Sequence, residues 1–283
     1  MRRLGHRVVD MVVDRHLRRA AGADTATGGH FLTHLRLSPD GGRIAFLHRY
    51  RLADGGEETC LFTVGTDGSG LRLLLRGFLS HFEWIDPATL IIWGRRNQAI
   101  AAMRRHPLLG NPVARAVLPL VKAPLRALMG RSKAAAQSYL AVADADGADP
   151  QPFAPDRLTA DGHPMRNQVR PGVLVTDTYP DASGTRDLML FHVETGARTD
   201  LGRFRKADAT PSDVVVQQVA AHLRDSVSVR IPPDLYAFTR SGLHCDLHPR
   251  WTADGRAVAF DSIHEGTRQI YTMPVADQLL HGA

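Results

Sequence analysis

Four times the chain repeats one pattern: a histidine, a short run, a tight turn and an apolar strand. His34 opens HLRLSPDGGRIAF, His81 opens HFEWIDPATLIIW, His163 opens HPMRNQVRPGVLV and His248 opens HPRWTADGRAVAF. Ten and twelve residues after each histidine the chain is apolar: Ile44 and Phe46, Ile91 and Trp93, Val173 and Val175, Val258 and Phe260. The first two histidines are 47 residues apart, the next two 82 and the last two 85. A period of roughly 40–50 residues, once insertions are set aside, belongs to chains built by repeating one supersecondary unit. Such a unit cannot bury both of its faces alone, so neighbours must stack.

The unit reads as antiparallel strands. In the last copy HPRWT, RAVAFDS and RQIYTMPV are strand-like and are separated by ADG and HEGT turns. The first copy has LRLS, RIAFLHRY, TCLFTVG and LRLLLRG; the third has GVLVTDTY, RDLMLFHV and RTDLG. Three to four strands joined by tight turns make one propeller blade. The expected fold is all-β, a β-propeller with four legible blades, over residues 30–283. It is either shortened or completed by degenerate blades in 1–29 and 205–240. Residues 1–29 read as an N-terminal helical segment or a degenerate blade. Residues 98–137 read as a helical insertion broken by Pro107, Pro112, Pro119 and Pro124.

That insertion also holds the charge excess. It carries seven basic residues, Arg104, Arg105, Arg115, Lys122, Arg126, Arg131 and Lys133, and no acid, against a net charge of +6 for the whole chain. A chain near neutrality elsewhere lacks the spread basic face of a nucleic-acid binder. Membrane-surface contact through 98–137 is a weaker reading than packing as an insertion, because the prolines interrupt any long amphipathic face. No apolar run reaches the roughly 18–20 residues of a membrane span. Two cysteines, Cys60 and Cys245, are too few for a disulfide framework. With no legible secretory signal, the expected location is cytoplasmic. Open edge strands on a short propeller point to a homo-oligomer.

HLRLSPDGGRIAF and HPRWTADGRAVAFDS resemble TolB-type propeller repeats. DGHP, TDTYPD, LMLFHVETGARTDLG and CDLHPRWTADGRAVAFDSIHEGTRQIYTMPV resemble, more narrowly, the oligogalacturonate lyase-like propellers. The resemblance covers 30–97, 138–203 and 241–276. It implies a seven-bladed propeller that cleaves short pectic uronides by β-elimination, with a divalent metal held by histidines near the axis. Its most specific element is the His244, Asp246, His248 cluster.

Histidines heading inner strands would converge at one end of a propeller axis, and imidazole suits first-row divalent metals. The expected metal ligands are His163, His244 and His248, with Asp246 or His34 as further donors and Mn as the first choice. The expected partner is a uronate oligosaccharide or another small anionic glycan. A metal on its carboxylate would acidify the C5 proton, His81 would act as base, and Arg250, Arg49 or Arg95 would clamp further carboxylates. The rival reading is a non-catalytic propeller that binds protein or glycan, in which each histidine only satisfies backbone groups at a blade start. Asp40, Asp254 and Gly255 are turn formers. Asp177 and Asp261, after the second strands, have a functional reading, but residues so placed more often support loops. Cys245 has no third group to complete a nucleophilic triad.

Overall fold

The computed structural model describes residues 30–51, 57–96, 137–205, 245–266 and 268–280. The expected N-terminal segment 1–29, the basic insertion up to residue 136 and His244 lie outside the described residues. The chain divides into two compact units, Met1–Thr159 and Ala160–Ala283. All described sheets are antiparallel. Among the described residues no helix is long and apolar enough to cross a membrane.

In the first unit one sheet holds seven strands in sequence order: β1 (His30–Leu37), β2 (Arg43–Arg51), β3 (Glu57–Gly65), β4 (Arg72–Asp86), β5 (Thr89–Arg96), β6 (Ser138–Ala143) and β7 (Gln151–Pro152). The sequence pattern separates LRLLLRG from HFEWID, but the two form one 15-residue strand, β4. Its first half pairs with β3 and its second half with β5, and Gly77 pairs on both sides, with Thr59 and with Arg96. One long strand therefore closes one meander and opens the next.

Alternation decides the packing. On β2, Ala45 and Leu47 join a core with Leu61, Trp84, Leu90 and Ile92. The intervening Phe46 and Tyr50 join another core with Cys60, Phe62 and Val64. Both faces of the strand pair are thus buried, as stacking units require. The SPDGG turn is set by side chains: Ser38 Oγ donates to Asp40 Oδ1 at 2.6 Å, and the Gly42 amide donates to the same oxygen at 3.1 Å. Gly41 takes the left-handed conformation, φ 72°, that a side chain would resist. At the far end of β6, the buried carboxylate of Asp144 ion-pairs with Arg43 and, at 2.9 Å, with Arg72.

The second unit holds a four-stranded and a three-stranded sheet. The first is β8 (Met165–Arg166), β9 (Val173–Asp177), β10 (Thr185–His192) and β11 (Arg198–Arg205); the second is β12 (Arg250–Trp251), β13 (Ala257–Ser262) and β14 (Gln269–Pro274). A four-residue helix, α1 (Asp277–Leu280), follows. Val173, Val175, Leu188, Leu190, Leu247, Trp251, Val258 and Phe260 share one core, so the two sheets pack on each other. Two hydrogen bonds fix them: Trp251 Nε1 donates to the Met165 carbonyl at 3.2 Å, and Asn167 Nδ2 to the Gly255 carbonyl at 2.8 Å.

Candidate metal centre

His163 and His248 each lie two residues before a strand of the second unit, in the segments that lead into β8 and β12. The packing of these two strands brings the rings together, with centroids 3.9 Å apart and planes tilted by 47°. Asp246, two residues ahead of His248, completes a group. One donor atom from each of His163, Asp246 and His248 lies within 4.8 Å of the others, a spacing that one metal ion can span.

Beneath this group sits Asp177, the last residue of β9, with a fully buried carboxylate. Oδ1 accepts from the His163 amide at 2.6 Å and from His163 Nδ1 at 2.9 Å. Oδ2 lies 3.0 Å from the same Nδ1 and accepts from the His248 amide at 3.1 Å. The chain passes close to make this possible: a Cβ on Gly162 would meet the Asp177 carbonyl oxygen at 1.8 Å. His248 has φ 41°, uncommon for a residue with a side chain. His34 shares that feature at φ 56°, so the left-handed turn alone does not mark a metal ligand.

The two imidazoles differ electrostatically. Burial works against protonation of His163, but the hydrogen bond and charge of Asp177, with Asp246 and Asp161 beyond, outweigh it and raise its pKa. Burial and the neighbouring His163 together lower the pKa of His248, against the pull of Asp177 and Asp246. Arg186, buried on β10, brings Nε to 3.7 Å from Asp246 Oδ1, within ion-pair range but too long for a hydrogen bond.

The other residues singled out from sequence are placed as follows. Arg250, half-exposed, reaches Asp261 Oδ2 at 3.4 Å, so Asp261 partners an arginine. Cys245 is buried, and burial raises its thiol pKa, which opposes a nucleophilic role. Asp40 and Asp254 hold turns, each through a 2.6 Å bond from a hydroxyl two residues earlier.

His81 and His34 belong to the first unit. They do not head strands, as the repeat pattern implies. His34 lies in the β1 irregularity between Thr33 and Arg36, and His81 in that of β4 between Leu79 and Phe82. Their rings meet edge to face at 5.2 Å, and each Nδ1 is 2.9 Å from a neighbouring hydroxyl, Thr33 or Ser80. The bulges were not legible because a period-two pattern does not show where an extra residue enters. Arg95 sits 5.8 Å over the Phe78 ring. Arg49 is part of β2.

Sequence reasoning undervalued Asp177. The signal was there: a glycine before His163 and an aspartate fourteen residues after it, at the end of the paired strand.

No protein-family model and no curated protein matches the chain. Solved structures that are similar to it are β-propeller proteins. One is an oligogalacturonate lyase in complex with manganese, at 13% identity and TM-score 0.41, covering 87% of this chain and 66% of that one. Another is the propeller domain of the trilobed protease from Pyrococcus furiosus, at 10% and 0.38, covering 86% and 55%. A third is TolB from Acinetobacter baumannii, at 6% and 0.41, covering 86% and 52%. The chain thus spans less than two thirds to about half the length of these neighbours.

Proposed function

We propose that the chain is a metal-dependent lyase of TolB-type propeller architecture, cleaving uronate oligosaccharides of the oligogalacturonide kind by β-elimination. The observation that carries this reading is the convergence of His163, His248 and Asp246 over the buried Asp177. The sequence resemblance of the DGHP, TDTYPD and CDLHP stretches supports it.

The donor set fits a divalent ion. Two imidazoles and a carboxylate suit Mn and its first-row neighbours. A carboxylate on the far ring nitrogen of a ligating histidine is the usual outer-shell arrangement, and Asp177 on His163 Nδ1 has that form. A metal held there would neutralise the substrate carboxylate and so acidify the C5 proton beside it. His163, His248 and Asp246 bind. Asp177 keeps His163 in one orientation. Arg250, partly exposed beside Asp261, offers its planar fork to a further carboxylate of the oligosaccharide. His81, expected from sequence to act as base, lies in the first unit beside His34.

The test is a Mn titration of the purified protein, followed by incubation with oligogalacturonides and detection of the new C4–C5 double bond by its ultraviolet absorbance. Neither bound metal nor new absorbance with any uronide sinks the lyase reading and leaves a binding propeller. His248→Ala is expected to abolish metal uptake with an unchanged circular dichroism spectrum.

A further inference from the structure

Asp177 is more than a loop support. Its carboxylate is fully buried, which is costly unless every lone pair is used. Its donors come from two sheets: the amide and Nδ1 of His163, which leads into β8, and the amide of His248, which leads into β12. The backbone yields to it at Gly162, where no side chain fits. We infer that Asp177 is a positioning residue that preassembles the His163–His248 pair and fixes His163 as its Nδ1–H tautomer, before any ligand arrives.

The reason lies in hydrogen-bond inventory. A carboxylate only accepts, and here it faces two backbone N–H groups that only donate. In a neutral imidazole one nitrogen donates and the other carries the lone pair. With Nδ1–H committed to Asp177, Nε2 of His163 is the coordinating nitrogen. The Oδ2 bond to the His248 amide also holds a residue in a conformation that L side chains resist. An amide in place of the carboxylate would turn an NH2 group against one of these donors. The consequence for metal affinity rests on the metal-site reading; the tautomer does not.

The experiment has two arms on the full chain. Long-range 15N–1H imidazole spectra of the metal-free wild type at alkaline pH, where His163 is neutral, should show the Nδ1–H tautomer. The Nε2–H tautomer overturns the inference. Mn titration of Asp177→Asn, with the circular dichroism spectrum unchanged, should give about 10–100-fold weaker binding than wild type. Equal binding by the variant also overturns it. If the wild type takes up no metal, the lyase reading fails and the tautomer alone decides the role of Asp177. If the variant does not fold, the tautomer of the wild type alone decides the role of Asp177.

Discussion

In Met1–Thr159 the Trp84 indole donates to the Arg36 carbonyl at 3.3 Å; in Ala160–Ala283 the Trp251 indole donates to the Met165 carbonyl at 3.2 Å. The positions correspond. Each tryptophan lies three residues after the second histidine of its unit, and each carbonyl two residues after the first. Both units also bring their two histidines together, His34 with His81 and His163 with His248. Each unit is a pair of meanders tied by the same bond. They diverge at two positions. Fourteen residues after the first histidine stands the buried His48 in one unit and Asp177 in the other; two before the second histidine stands Leu79 or Asp246. Two carboxylates separate a packed pair of imidazoles from a candidate metal centre. The histidine repeat is common to both units, and the two acids beside it set the second apart.

The largest expected effect tests the shared part. Trp84→Ala and Trp251→Ala should each destabilise the protein by about 3–5 kcal/mol in urea denaturation, since both indoles are buried. A marginal loss at Trp251 would mean that the second unit is held by something else. Next comes the divergent part. Gly162→Ala forces a methyl against the Asp177 carbonyl and should cost about 1–3 kcal/mol as overpacking. The corresponding Thr33→Ala in the first unit creates no such clash and removes only the hydroxyl contact with His34, so it should cost no more than about 1 kcal/mol. Equal losses would remove the distinction between a built cradle and an ordinary strand.

The smallest effect returns to what the units share. Asp40 and Asp67 in the first unit, and Asp181 and Asp254 in the second, accept side-chain and backbone bonds that lower their pKa values. Groups depressed in the folded state contribute stability above the unfolded carboxylate pKa of about 3.9, and it is lost as pH falls through the folded value. Asp40→Asn with Asp254→Asn should therefore flatten the acid limb of a stability profile by lowering stability slightly at neutral pH, and leave the value below the folded carboxylate pKa almost unchanged. A profile with the same acid slope as wild type would show that these turns carry no acid-sensitive stability.

Much of this was legible in the residues. The SPDGG and TADG turns, the three- and four-stranded meanders and the apolar positions ten and twelve after each histidine all follow local rules of alternation and turn chemistry. His248 also stands out as a candidate, because Asp246 stands two residues before it. The fusion of two expected strands into β4 was not legible. It depends on Gly77 finding partners on both edges at once, Thr59 and Arg96. Nor was the asymmetry of the histidines. The apolar pattern after His34 and His163 is the same, and only Gly162 and Asp177 mark the second.

The repeat, the antiparallel all-β class and the candidate ligands follow from side-chain type and short-range period in the sequence. Only the tertiary structure decided which histidines share a carboxylate. Asp177 meets His163 across fourteen residues and His248 across seventy-one. That meeting comes from the packing of two sheets around Trp251, which local alternation and turn chemistry do not specify.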